Sequence, residues 1–433
     1  MKDNLKNTLT VAMLTVLSQI LGYVREMLFA YYLGTSMPLE AFQTAETVPL
    51  TFTQILISAV PLAFTPMLIR TEKEDKDTLI YNAFALFGIV LLPICFMVGL
   101  HSDIFVKIIA PGFEGDKLVM TSHLVSILSP NIIFLSLVAL YNSFLNAKRE
   151  FIIPTASALI LNVCIISAQV LTKANVVFVA LGSSIGGIIM FGCTCVFCYK
   201  KYGIRMKFER IRIQCIRKIL GSIFPVCIIS AFTSLNLVLD KFFASKLQGG
   251  SIAVLMYGYK IINLPVYLFV TSVTKVMLPE VTQMMIDNNY KKLNQIIRQV
   301  VFFCIVGGVA FVFAIAFLGK WIVTILFGRG AFNATDIVNT VNVLKVYAFG
   351  VTAMALNSFF QSISYARGRY LDSFSALIAQ SIVYVLSVCL LISKYGLMAI
   401  AFGNVVANNV AIIIWIVVLY RKYNINIVKN YSN

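Results

Sequence analysis

The chain has 433 residues, 59% of them hydrophobic and only 12% charged, with a mean hydropathy of +0.88. A soluble globular domain carries about 25% charged residues, so the composition excludes one and requires a membrane protein. The net charge of +17 does not indicate nucleic acid, because the basic residues gather on one side of the predicted membrane topology.

A spanning helix needs about 20 mostly apolar residues. Twelve such stretches run along the chain, at 8–32, 41–69, 78–101, 119–147, 151–171, 177–199, 219–247, 252–287, 300–323, 336–366, 373–393 and 397–420. The expected fold class is therefore an all-α polytopic membrane protein with twelve transmembrane helices.

Span one carries Arg25 and Glu26 well inside its length. An arginine at membrane depth costs roughly 3 kcal/mol on insertion scales, so it faces protein or water. At 100° per residue, Thr8, Thr15, Ser18, Gln19, Gly22, Arg25 and Glu26 share one face of that helix. On span two, Glu40, Gln43, Thr44, Thr47, Thr51, Gln54 and Ser58 form a second stripe, with Glu46 outside it. On span eight, Tyr257, Lys260, Asn263, Tyr267, Thr271, Thr274 and Lys275 form a third. The single Ser and Thr positions read best as hydrogen-bonding glue between helices. Arg25 and Lys260 read as cations of a hydrated cavity that takes an anionic ligand. Asp240-Lys241, towards the end of span seven, reads as a simple adjacent pair. Pro49, Pro61, Pro66, Pro93, Pro130, Pro225, Pro265 and Pro279 are expected to interrupt spans, breaks that are tolerated where neighbours satisfy the freed carbonyls and that can act as hinges.

With the N-terminus placed inside, the inside segments hold about three times as many Lys and Arg as the outside loops, the asymmetry of the positive-inside rule. Both termini are then cytoplasmic. The segment 200–218 is the most basic of these and suits anionic lipid headgroups. Lys2 and Lys6 precede a long apolar stretch without a small-x-small cleavage pattern, which argues against a cleaved signal. Nine scattered cysteines and two histidines offer no second pair of metal ligands and imply no structural disulfide.

The chain is an internal duplication. Asn142-Ser143-Phe144 is repeated as Asn357-Ser358-Phe359, and Ser157-Ala158-Leu159-Ile160 as Ser375-Ala376-Leu377-Ile378, at an offset of roughly 215 residues. Phe29-Ala30 and Leu33 parallel Phe243-Ala244 and Leu247; Pro49 and Pro66 parallel Pro265 and Pro279. An even number of spans in each half gives two parallel six-helix bundles, 1–199 and 219–433, related by a pseudo-two-fold axis along the membrane normal and joined by the linker 200–218. Transporters built on parallel repeats carry their pathway at the repeat interface.

Several of these residues resemble the MurJ (MviN) lipid II flippases. Ser18-Gln19-Ile20-Leu21-Gly22-Tyr23-Val24-Arg25-Glu26 is similar to that family's opening signature, and Glu40-Ala41-Phe42 to its Asp-Ala-Phe. Ile109-Ala110-Pro111-Gly112-Phe113 resembles its first outer loop, and Arg149, Phe151 and Pro154 the start of its fifth span. Leu326–Phe332 resembles its Phe-x-Arg-Gly-x-Phe element, and Tyr365-Ala366-Arg367 the end of its tenth span. The resemblance implies the fold of the multidrug/oligosaccharidyl-lipid/polysaccharide exporters, in the bacterial cytoplasmic membrane. It implies alternating access that moves undecaprenyl-diphosphate-linked peptidoglycan precursor, lipid II, from the inner to the outer leaflet for cell wall biogenesis and cell shape.

By the same resemblance the substrate-binding residues are Arg25, Lys260, Glu40, Glu26, Gln19 and Gln54. Lys260 stands where the family usually has Arg, Glu40 where it has Asp, Gln19 where it has Arg, and Thr53-Gln54 where members often have an Arg pair. A sodium site between spans seven and eleven in some members would fall on Asp240 and Asp372. No cofactor is implied beyond coupling to the membrane potential, Na+ or H+. The implied partners are the lipid-linked glycan, membrane lipids and cell-wall synthesis proteins. The missing arginines keep two alternatives open: a flippase for another lipid-linked oligosaccharide, such as a capsule or teichoic precursor, and a cation-coupled multidrug exporter. An enzyme would need a convergent His–acid cluster or a metal-binding loop, and the short loops hold none.

Overall fold

The computed structural model describes residues 2–71, 73–203, 212–287, 290–366 and 370–423. Among them are fifteen α-helices and no strand. They are α1 (Lys2–Leu33), α2 (Met37–Arg70), α3 (Lys73–Leu100), α4 (Ser102–Ile109), α5 (Gly115–Leu128), α6 (Asn131–Ala147), α7 (Ile152–Thr172) and α8 (Val176–Tyr202), followed by α9 (Ile213–Ala244), α10 (Ser251–Ile286), α11 (Tyr290–Phe327), α12 (Ala334–Ala348), α13 (Val351–Ala366), α14 (Tyr370–Tyr395) and α15 (Leu397–Tyr423). In lipid every backbone polar group must be satisfied within the chain, and a helix does this within one segment.

Each of the twelve predicted spans falls on helix. Ten stretches of the described residues are long and apolar enough to cross a membrane, and α12–α13, bent by 53°, makes an eleventh. That count leaves out the 36-residue α10, which carries the predicted eighth span. Two spans contain a break. The fourth divides into α5 and α6 at Ser129-Pro130, and the tenth into α12 and α13 at Phe349-Gly350. These are corresponding positions of the two sequence halves, so the duplication extends to where a span breaks.

The internal prolines behave differently from the expectation. α2 continues through Pro49, Pro61 and Pro66, α3 through Pro93 and α9 through Pro225. Each proline removes one backbone donor, a loss that a long helix packed among neighbours tolerates. Pro130 alone of these marks a helix boundary, at the start of α6. Lys275, Thr271 and Thr274 of the predicted stripe on α10, together with Pro279, lie outside the residues described by side chain. Arg367 and residues 204–211 of the linker lie outside the described residues altogether.

The chain divides into two compact units. The first is Met1–Lys246 with Gly330–Phe332; the second is Leu247–Arg329 with Asn333–Asn433. This division differs from the sequence repeat, because α9 packs into the first unit. There α2 is the central helix and packs against α6, α9 and α5, while α7 packs against α1 and α8. In the second unit α14 and α15 form a close pair, and α12 and α13 pack on α10. A carboxamide network ties that unit together. Asn408 accepts from Asn357 at 3.1 Å and from Gln380 at 3.2 Å, and donates to Asn404 at 2.9 Å. This is the polar glue expected between membrane helices.

Two glycine contacts close one end of the first unit. Ala331 donates its backbone N–H to the Tyr31 carbonyl at 2.8 Å. Gly330 (φ +64°) and Gly34 (φ +59°) flank that bond in the left-handed region, which favours glycine. A Cβ on Gly330 would lie 2.1 Å from the Tyr31 oxygen, and one on Gly34 2.5 Å from the Ala331 oxygen. In the second contact Gly112 donates its N–H to Ser245 Oγ at 3.2 Å, and a Cβ there would lie 2.1 Å from the Ser245 carbonyl oxygen. The other end of the unit is basic. Glu150, in the turn after α6, accepts a hydrogen bond from Lys201, and that bond holds its carboxyl below the usual range.

Candidate functional site

The polar face of α1 meets α2 and α7 in the first unit. Arg25 donates from Nη2 to Glu26 Oε1 at 3.0 Å, and its Nη1 stands 3.7 Å from Glu46 Oε1. Its side chain is 15% exposed, and Nε is buried with no hydrogen-bond partner. Gln169 of α7, fully buried, donates Nε2 to the Arg25 carbonyl at 3.1 Å and fixes α7 against this turn of α1. The guanidinium is thus held by two carboxylates with its Nε–H unpaired, an arrangement that a more strongly charged anion can take over.

Glu40 is 1% exposed and forms an ion pair of 2.6 Å with Lys117 of α5. Lys117 also lies over the Phe113 ring, 4.0 Å from its centroid, a cation–π contact that steadies the ammonium. Beside this pair, both amide atoms of Gln43 and the Thr44 hydroxyl are buried without a partner. The α2 stripe changes character along the helix: Gln43, Thr44 and Thr47 are buried, whereas Gln54 and Ser58 are exposed.

Removing one member of a buried ion pair leaves the other charge stranded, at a cost of about 3–5 kcal/mol. Lys117→Met is therefore expected to lower the stability of the first unit by about 3 kcal/mol, with most of it recovered in Lys117→Met/Glu40→Gln. Thermal unfolding in mild detergent checks this. Equal melting of the wild type and Lys117→Met would show that the pair carries no such weight.

The predicted residues divide between the two units. Arg25, Glu26, Glu40, Gln19, Gln54 and Asp240 are in the first; Lys260 on α10 and Asp372 on α14 are in the second. Gln19 and Asp240 are half-buried, Lys260 is half-buried, and Asp372 is 4% exposed. The structure brings Arg25 and Glu26 together directly and gives Glu40 its partner in Lys117.

Three charged residues of this region escaped the sequence reading. Glu46 lay outside the α2 stripe yet reaches Arg25, and Lys117 was counted among loop charges yet neutralises Glu40. Lys241, taken for half of an adjacent pair with Asp240, is 1% exposed, and its ammonium has no hydrogen-bond partner. Among the described residues its ammonium makes no ion pair with Asp240 either, unlike the adjacent Arg25 and Glu26 of α1. The one sequence signal for Lys241 was a second in-span cation, one hundred degrees from an acid.

Against known proteins, the family described as lipid II flippase MurJ matches residues 29–432. The probable lipid II flippase MurJ of Buchnera aphidicola subsp. Acyrthosiphon pisum is 28% identical over 379 residues, covering 84% of this chain and 73% of that protein. The probable lipid II flippase MurJ of Rhizobium tropici is 27% identical over 438 residues, covering 96% and 81%. Among solved structures, a lipid II flippase MurJ in an inward closed conformation superposes with a TM-score of 0.84 at 24% identity, over 95% of this chain and 87% of that one. An inward-facing multidrug resistance MATE family transporter of the MOP superfamily gives 0.79 at 14% identity, over 94% and 96%. These structures share the fold. The family match runs through nearly the whole sequence, and the chain belongs to the lipid II flippase MurJ family.

Proposed function

We propose that the chain moves lipid II from the inner to the outer leaflet of the bacterial cytoplasmic membrane by alternating access, with both termini cytoplasmic. The observation that carries this reading is Arg25, a guanidinium at membrane depth held by two carboxylates in a chain of a flippase family. A diphosphate competes well for such a group, because it presents several oxygens to the planar fork at once. Lys260 on the second bundle's stripe is the other proposed headgroup ligand. Glu26, Glu40, Gln19 and Gln54 would contact the headgroup along the stripes of α1 and α2. Polyprenyl tails stay in the bilayer. The membrane potential acts at about 2.3 kcal/mol per charge per 100 mV, enough to bias the cavity. Asp240 and Asp372 are the proposed carriers of a coupling Na+ or H+. Cell-wall synthesis proteins are the proposed partners.

A second reading, a flippase for another diphosphate-linked glycan, is favoured by Gln19 and Thr53-Gln54. At those positions the cavity carries no cation. One experiment separates the two: depletion of the host lipid II flippase with expression of this chain. Restored growth, with lipid II as the co-purified mass in native mass spectrometry, supports the first reading. Trapped lipid II with a different co-purified polyprenyl-diphosphate glycan supports the second.

A further inference from the structure

Around Arg25 and Glu40 the ion pairs of the first unit join two cations to three carboxylates, and Lys241 is not among them. Arg25 takes Glu26 and Glu46, and Lys117 takes Glu40. Lys241, on α9, is 1% exposed, and its ammonium makes no hydrogen bond or ion pair among the described residues, although the fields of Asp240, Glu40, Glu46 and Glu26 all reach it. α9 packs directly on α2, the helix that carries Glu40 and Glu46. Three N–H donors of an ammonium therefore stand unmet inside the unit, beside carboxylates that other cations already hold.

A buried charge without a partner is costly, and an apolar residue of similar size is the stabilising choice at such a position. A lysine kept there presents an ammonium whose three N–H donors an anion with several oxygens can satisfy. The α1 and α2 stripes supply one cation, Arg25, because Gln19 and Gln54 are neutral. A diphosphate carries more than one negative charge, and Lys binds phosphate as a point charge. We propose that Lys241 is a second phosphate-binding cation of the first unit, acting with Arg25 on the diphosphate of the substrate and shielded from it in the conformation described. This rests on the flippase reading above.

The test uses the full chain purified in mild detergent. The probe is undecaprenyl diphosphate, titrated while intrinsic fluorescence and thermal unfolding are followed, with undecaprenol as the uncharged control. The wild type is expected to bind the diphosphate and not the alcohol. Lys241→Met is expected to weaken diphosphate binding at least ten-fold while melting at the same temperature or higher, and Lys241→Arg to retain binding. A merely structural lysine gives the opposite stability result: Lys241→Met then melts lower, and the assignment falls. It also falls if Lys241→Met binds as the wild type does while Arg25→Ala does not, a result that leaves the flippase reading standing. Failure of the wild type to bind the diphosphate sinks that reading and this assignment with it.

Discussion

Arg25→Ala is expected to abolish rescue of a host depleted of its lipid II flippase, with the variant protein still present in the membrane at the wild-type amount. The substitution has two separable effects. It removes the one cation on the polar faces of α1 and α2, and it leaves Glu26 and Glu46 without their partner at membrane depth. Stranded charges of this kind cost about 3–5 kcal/mol, so a stability defect of that size is expected alongside the functional one. Arg25→Ala/Glu26→Gln/Glu46→Gln separates them. With the carboxylates neutralised, the melting temperature should return close to that of the wild type, and flipping should stay absent. Arg25→Lys should keep part of the activity, since it restores the charge and not the bidentate fork. Full rescue by Arg25→Ala would refute the role of this residue.

The stripes on α1 and α2 were legible because a helix period converts spacing into a face. What that face meets is a matter of packing between distant segments, and periodicity is silent on it. Glu46 shows the limit. A stripe argument assumes that a helix has one polar side turned to one cavity. α2 is the central helix of its unit, buried over Leu39–Ala45 on every side and surrounded by α5, α6 and α9. A carboxylate off the stripe still finds a cation there, because neighbours approach from several directions. Lys117 and Lys241 were hidden for the same reason: one sits at the start of α5 and one near the end of α9, and only the assembled unit sets them beside α2. The spans themselves were legible to within about ten residues at their ends, since hydropathy fixes them. Which proline ends a helix was not legible, because a proline's local cost does not say which neighbours hold a long helix together.

Gly330→Ala is expected to reduce flipping at least ten-fold without loss of protein from the membrane. The reason lies in the contact with the α1–α2 turn. The left-handed backbone at Gly330 costs an L-residue about 1–2 kcal/mol, and the added methyl would sit 2.1 Å from the Tyr31 carbonyl oxygen, a distance no packed Cβ tolerates. The Ala331–Tyr31 hydrogen bond and the close approach of Gly34 to Ala331 are then lost together. Under the proposed topology this contact lies at the outer face, and so does the one between Gly112 and Ser245. The two correspond in the sequence repeat: Gly112 and Gly330 sit in the outer loops of their halves, and Tyr31 and Ser245 lie near the ends of the first span of each. Both contacts lie within the first unit, and the proposed alternation is expected to form such a pair in one state and part it in the other. Opening it by substitution should shift the population towards the parted state. A cysteine placed at Ser36 should react faster with a membrane-impermeant maleimide in Gly330→Ala than in the wild-type background, and Gly112→Ala should act in the same direction. Unchanged labelling at Ser36 in both glycine variants, with normal flipping, would show that the glycine contacts do not govern the closure.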